Sequence, residues 1–207
     1  MAREETLFLE RGFTWYNGRT IDSSDLEATV LEGKRFTHDD IDHSATGQVK
    51  PYRTQHTVTT IIVRNMASFA LRAKSLVVFQ LTAGVNRCRV DGMARLTAQH
   101  CAGYVDEYLN SSGCPQYDLC HVVIEGPAMG VTPLEGDAGN LIPVGTVLVS
   151  LTAATSGATT SGRARPQDLT GATALLADQA QYKVGMAMSA KTTTNTNADI
   201  LIYVRTY

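Results

Sequence analysis

The chain has 207 residues, of which 18% are charged and 43% hydrophobic, and its formal net charge is −2. This length suits one domain of ordinary size, or a smaller domain with an extension, and it can bury a core without disulfides. The near-neutral charge argues against a nucleic-acid-binding protein, which usually has a strongly basic face, and no run approaches the roughly 18 consecutive apolar residues of a membrane span.

Residues 1–57 differ from the rest of the chain in charge, because they hold 10 of the 20 acidic and 7 of the 18 basic residues. Charges near residue 1 stand where a signal peptide has its apolar core, so we expect no export by that route. We interpret the segment as an extended N-terminal arm that docks through aromatic side chains. The alternative is an irregular region packed on its own domain. The predicted partner-binding residues are Phe13, Trp15, Tyr16 and Phe36.

The stretch THDDIDHSATG, residues 37–47, places two histidines around three aspartates. His38 and His43 are five positions apart, which suits neither one face of a helix nor one face of a strand. The aspartates also lack the order of a calcium-binding loop. We interpret the stretch as a solvated turn of the arm that binds no metal. The alternative is the metal site of a hydrolase, formed by His38, Asp40 and His43.

From residue 58 onwards the pattern is typical of an all-β domain, because short β-branched or alternating runs are separated by Gly, Pro, Asn and Thr. The predicted strands are 58–63, 75–81, 121–124, 146–151, 184–190 and 199–204. Two stretches with looser helical spacing, 94–110 and 170–182, predict one or two short helices. Apolar residues at every second position of the strands predict a core of Val77, Phe79, Val123, Val147, Val149, Ile200 and Ile202.

Signatures of enzyme chemistry are weak. Residues 157–164 have Gly-x4-Gly spacing, but Arg163 and Ala164 stand where a phosphate-binding loop needs Lys and then Ser or Thr. The four cysteines lack the close pairs of a structural zinc site, and without an export signal we expect them to be reduced. No Gly-x-Ser-x-Gly elbow is present. We therefore predict a protein that is not an enzyme, with no catalytic residue, cofactor or metal.

Motifs in roughly the last two-thirds of the chain share a strand-and-turn pattern. Asp-Leu-x-x-Val-Val-x-x-Gly-Pro at 118–127 is followed by x-Pro-x-Gly-x-x-Leu at 142–148 and by a loop rich in Gly, Ala and Thr at 152–162. An x-Gly-x-Ala strand at 184–187 and an apolar strand at 200–204 complete the pattern. In these motifs the chain resembles the decoration (cement) proteins of tailed-bacteriophage heads, which coat an assembled capsid. The arm departs from the shorter decoration proteins.

The resemblance implies a structural virion protein that bridges major capsid subunits and stabilises the capsid. It implies a homotrimer at local three-fold axes on the outer surface of the capsid, made in the host cytoplasm. From the near-neutral charge and the lack of a polybasic patch we expect no direct contact to nucleic acid or membrane. Together with the strand pattern, the resemblance predicts a small β-sandwich or barrel-like domain over residues 58–207. The alternatives are a head fibre or tail structural component and the metal-dependent hydrolase described above.

Overall fold

A computed structural model of the chain describes residues 31–39, 57–80, 88–93, 101–132, 141–150, 162–167, 183–192 and 198–206. The regular structure in these ranges is entirely β, which confirms the predicted fold class, and they contain no helix that could cross a membrane. The strands are β1 (Arg35–Asp39), β2 (Thr57–Asn65), β3 (Leu76–Phe79), β4 (Arg89–Met93), β5 (Cys101–Val105), β6 (Leu119–Thr132), β7 (Val147–Ser150), β8 (Ala164–Pro166), β9 (Lys183–Ala187) and β10 (Ala198–Arg205).

Five of these strands close into a ring, which we call the barrel. Its order is β2-β4-β3-β5-β6, and β6 pairs back with β2. The β2–β4 pair is parallel and short, joining Arg64 and Asn65 to Arg89 and Val90, whereas the other pairs in the ring are antiparallel. Closing a sheet in this way removes exposed strand edges that would otherwise pair with other chains.

The remaining strands continue the sheet away from the barrel. β6 has 14 residues, and its second half pairs with β10 from Glu125 to Thr132. β9, β7 and β8 follow β10 in that order. We call β10, β9, β7 and β8 the extension. It ends at β8, a strand of only three residues, so the pairing edge that it offers is short.

Two clusters of buried apolar side chains hold these parts together. The first fills the barrel and contains only residues from its strands and connecting loops, such as Ile61, Val77 and Val122. The second joins the barrel to the extension, because it combines residues such as Val123 with Leu148 and Ile202. Burying side chains of this size stabilises a fold by about 1.5–3 kcal/mol each. The extension is therefore packed on the barrel as well as hydrogen bonded to it.

The predicted core is largely confirmed. Five of its seven residues are at most 2% exposed: Val77, Val123, Val149, Ile200 and Ile202. Phe79 and Val147 are half-buried. The helix predicted over residues 94–110 is wrong, because residues 101–105 form β5 and are buried along their whole length. The helix predicted over residues 170–182 lies outside the described residues.

The end of the predicted arm belongs to the sheet. β1 pairs antiparallel with the first half of β2, from Arg35 opposite Ile61 to Asp39 opposite Thr57. The polar turn predicted to begin at Thr37 therefore begins inside a strand, since the backbone hydrogen bonds of 37–39 are used in pairing with β2. Residues 1–30 and 40–56 of the predicted arm lie outside the described residues.

Candidate interaction surfaces

Phe36 is the one predicted partner-binding residue within the described ranges, and Phe13, Trp15 and Tyr16 lie outside them. It is half-buried in β1, and its ring meets the ring of His121 edge-on, with centroids 5.7 Å apart and planes at 71°. His121 is itself buried, with Nδ1 2.8 Å from Thr60 Oγ1. Phe36 thus packs on the barrel of its own chain. The candidate metal ligands Asp40 and His43 also fall outside the described residues.

A buried ion cluster fixes the chain just before β1. The Glu32 carboxylate accepts from Arg64 Nε at 3.0 Å with one oxygen and from Arg89 Nε at 3.3 Å with the other. Arg64 also donates from Nη1 to the carbonyl oxygen of Tyr117 at 2.6 Å. The Glu32 side chain is 1% exposed and that of Arg64 is fully buried. Removing one partner of such a cluster leaves an uncompensated buried charge, which costs about 3–5 kcal/mol.

The ion cluster shows where the arm can be separated from the barrel. Glu32 lies within residues 1–57, and so do Gly33 and Lys34, whose backbones hydrogen bond to Ile62 at 2.8 and 3.0 Å. A deletion of residues 1–57 would therefore remove a buried charge partner together with β1. A cut that tests the arm without disturbing these contacts has to fall before residue 31.

All four cysteines lie within the described residues, and none of them is in a disulfide there. Burial raises the pKa of the Cys88 thiol, and it raises the pKa of Cys101 to about 11. A hydrogen bond with Cys120 is the largest cause that raises the pKa of Cys114, followed by burial. Thiols with raised pKa values are poor nucleophiles, because the thiolate is the reactive form. The cysteines behave here as core side chains.

A groove of about 440 Å³ opens at one end of the barrel, between the β2–β3 and β5–β6 loops. The described residues that line it are Phe69, Ala70, Arg72, Ser111 and Ser112. Ala70, Arg72, Ser111 and Ser112 are exposed, whereas Phe69 is half-buried and packs against the barrel core. We call it the loop groove.

Hydrogen bonds beneath the loop groove hold its two walls together. The N–H of Leu71 donates to the carbonyl oxygen of Cys114 and the reverse bond is also made, both at 2.9 Å. Below them, the fully buried Asn65 donates from Nδ2 to the carbonyl oxygens of Phe69 and Cys114, both at 2.9 Å, and accepts from the N–H of Ala67 at 2.9 Å. One side chain thus ties both loops to the end of β2.

The serine wall is shaped by a tight turn. Asn110 Oδ1 accepts from the N–H of Ser112 at 3.1 Å, and the carbonyl oxygen of Asn110 accepts from the N–H of Gly113 at 3.0 Å. Gly113 has a φ of +78°, and a Cβ there would collide with the carbonyl oxygen of Leu71. Glycine is therefore needed both for the backbone conformation and for the close approach of the loops.

The extension carries a second candidate surface on its outer face. Tyr203 of β10 lies opposite Met186 of β9, which lies opposite Val147 of β7. Neighbouring residues such as Ile202 and Ala187 are buried, so the alternation of a strand places this row on the other face. Met186 is 44% exposed and Tyr203 37% exposed. We call Tyr203, Met186 and Val147 the apolar row.

Both surfaces were missed from the sequence, and only one had a usable local signal. Asn-Ser-Ser-Gly at residues 110–113 is typical turn chemistry and marks the serine wall of the loop groove. Nothing local places Arg72 next to that turn, because 38 or more positions separate them and the barrel closes the gap. Met186 and Tyr203 stand in runs that predict strands, but a single strand does not show which face is covered.

No family model matches the chain, and no curated protein matches its sequence. Among solved structures, the chain is similar to the N base of the head fibre gp8.5 of bacteriophage phi29. The two chains are 16% identical, the match covers 72% of this chain and 96% of that one, and the TM-score is 0.38.

Proposed function

We propose that the chain is a structural protein of a tailed-phage head, which decorates the capsid and stabilises it by bridging major capsid subunits. The observation that carries the proposal is the position of the motifs that resemble decoration proteins. Residues 118–127 enter β6, 142–148 lead into β7, 184–187 lie in β9 and 200–204 in β10. These four strands are consecutive neighbours in the sheet, in the order β6-β10-β9-β7. Motifs spread along the sequence thus form one continuous unit.

The geometry offers a route by which such a protein would hold a capsid. The apolar row places exposed side chains of Met186 and Tyr203 on one face of the extension. We place the docking surface for a capsid subunit on this face. Each contact is weak, but repetition by the symmetry of a shell makes the sum strong. The arm is proposed to add contacts through Phe13, Trp15 and Tyr16, starting from the fixed point at Glu32.

The proposed oligomer is a homotrimer at local three-fold axes of the capsid. Multi-angle light scattering of the purified full-length chain, alone and after mixing with capsids, tests this part separately. A monomer in both states would contradict the trimer but not the decoration role.

The experiment that tests the function is quantitative mass spectrometry of purified virions of the phage that encodes the chain. We expect a copy number comparable to that of the major capsid protein or a simple fraction of it. A handful of copies per virion would contradict decoration and favour the alternative predicted from the sequence, a head fibre or tail structural component. Absence from virions would contradict both.

A binding assay sharpens the result. Recombinant full-length chain is added to capsids that lack it, and bound protein is measured by sedimentation. We expect saturable binding and a higher melting temperature of the loaded capsids. A variant lacking residues 1–30 keeps Glu32 and β1, so any loss of binding reports on the arm and not on the ion cluster.

A further inference from the structure

We propose that the loop groove binds an acidic sugar, a pyranose ring that carries a carboxylate. The proposal rests on the side chains that line an open groove of about 440 Å³: one arginine, two serines and one aromatic ring. The proposal goes beyond capsid decoration, because it assigns a small-molecule site to the loop groove. This groove is polar and lies at the end of the barrel, whereas the proposed capsid contact is the apolar row of the extension.

Arg72 supplies the recognition of the carboxylate. Its side chain is exposed at the rim of the groove, and no described residue forms an ion pair or a hydrogen bond with its guanidinium. A guanidinium presents its N–H groups as a planar fork that matches the two oxygens of a carboxylate. The neighbouring wall places no acidic side chain against it, since the described lining is Phe69, Ala70, Ser111 and Ser112.

The other lining residues match the remainder of a sugar ring. The hydroxyls of Ser111 and Ser112 both donate and accept, as sugar hydroxyls require. Phe69 and Ala70 offer an apolar patch for the C–H face of the ring. A Cβ added to Gly92 would lie 2.8 Å from Phe69 Cζ, so the phenyl ring already packs closely on β4. Its position is thus fixed before any ligand arrives.

Size and rigidity support a ligand larger than one side chain. Pockets for small ligands measure about 300–1,000 Å³, and the groove falls in that range. The Asn65 amide and the Leu71–Cys114 bridge hold the walls at their present separation. Walls that are already ordered lose little entropy when a ligand binds.

An acidic peptide is the competing occupant, and the lining favours the sugar. A glutamate side chain would satisfy Arg72 but would leave the two serine hydroxyls and the apolar patch without matched groups. Because the groove is open to water, we expect an affinity of about 1 mM for a single sugar. Many copies on one virion would together bind a polysaccharide more strongly than a single copy does. Only this gain from many copies rests on the proposed function.

The test is a titration of the isotope-labelled full-length chain, followed by NMR chemical shifts of its amides. The ligands are a trimer of galacturonic acid, the neutral glucose trimer maltotriose, and triglutamate. We expect shifts confined to residues 69–72 and 110–113 that saturate with the acidic trimer, and binding of maltotriose weaker by at least about tenfold. Equal binding of the acidic and neutral trimers, or triglutamate binding as tightly as the acidic trimer, would overturn the proposal.

Two variants and a matched control complete the design. Arg72→Gln should weaken binding of the acidic trimer at least about tenfold, whereas Arg35→Gln, the same change at an exposed arginine of β1, should leave it unchanged. Joint Ser111→Ala and Ser112→Ala should weaken the sugar but not triglutamate. Unchanged sugar binding in Arg72→Gln would overturn the proposal. The assay uses no capsid, so a failed capsid-binding experiment leaves its outcome unaffected.

Discussion

The barrel and the extension differ in how many charged side chains they bury. The described barrel buries charged and amide side chains, among them Arg64, Arg89 and Asn65, and supplies them with partners. The described extension buries one charged side chain, Lys191 between β9 and β10, and exposes the apolar side chains of Met186 and Tyr203 on its outer face. A buried charge needs a partner of opposite charge in a fixed geometry. The stability of the barrel therefore depends on its buried ion pairs. The apolar row has no such need within the chain.

The cluster of apolar residues shared by the two regions gives the largest expected effect. Val123→Asp should prevent soluble folding, because Val123 is fully buried between barrel and extension and an unpaired buried charge costs several kcal/mol, comparable to the stability of a domain of about 5–15 kcal/mol. The measurement is the soluble fraction on expression. Val144→Asp is the matched control, since Val144 is 63% exposed, and it should stay soluble. A soluble Val123→Asp chain with the parent melting temperature would show that the shared core is not required.

The ion cluster tests the barrel alone. Glu32→Gln should lower the free energy of unfolding by about 3–5 kcal/mol, because it leaves Arg64 and Arg89 buried without their carboxylate. Asp199→Asn is the control, because Asp199 forms a partly exposed ion pair with Lys74 at 2.6 Å. The Lys74 side chain is 33% exposed and that of Asp199 42%, so breaking this pair should cost at most about 1 kcal/mol. Urea denaturation measures both. Equal losses in the two variants would mean that burial does not distinguish the two ion pairs.

A variant in the apolar row tests the extension, and here we expect an effect on capsid binding and not on stability. Met186→Asp should leave the melting temperature nearly unchanged, because Met186 is 44% exposed, but should weaken capsid binding by about tenfold or more. Ser111→Asp adds the same charge on the barrel loop and should bind capsids normally. Sedimentation with capsids measures both variants. Normal binding by Met186→Asp would remove the apolar row from the proposed interface.

The strand pattern predicted much of the extension but less of the barrel. Every one of the six predicted runs overlaps a strand, because each has local β-branched or alternating residues. The strands that were missed are β1, β4, β5 and β8. β1 (Arg35–Asp39) and β4 (Arg89–Met93) are rich in charged residues. β1 forms by pairing with β2, and β4 forms by pairing with β3 and with the end of β2. For such strands tertiary pairing outweighs local propensity.

The candidate surfaces could not be read from the sequence for the same reason. Glu32 meets Arg64 and Arg89 across 32 and 57 positions, and no local spacing marks that contact. Phe36 has the aromatic character of a docking residue, but the register of β1 turns it onto His121. The predicted core succeeded because runs of β-branched residues mark buried strands locally, although in β3 and β7 consecutive residues are buried and not alternate ones.

The smallest expected effect concerns Asp118, at the start of the β6 motif. Burial raises the pKa of its carboxyl from the ordinary 3.8, and the nearby Arg64 charge lowers that pKa only in part. The folded state therefore binds this proton more tightly than the unfolded state. Stability is unaffected below the unfolded pKa and falls as pH rises from 3.8 through the folded pKa, because the ionised form is disfavoured by burial.

Asp118→Asn removes the ionisable carboxyl. The variant therefore tests whether a buried charge in the barrel destabilises the fold when its partner compensates it only in part. We expect the variant to be slightly more stable than the parent at neutral pH, with the difference vanishing as pH falls toward 3.8. Urea denaturation of both chains across this pH range gives the difference directly. If the variant is instead less stable at neutral pH, the attraction between Asp118 and Arg64 exceeds the cost of burial. The carboxylate would then count as a further member of the ion cluster.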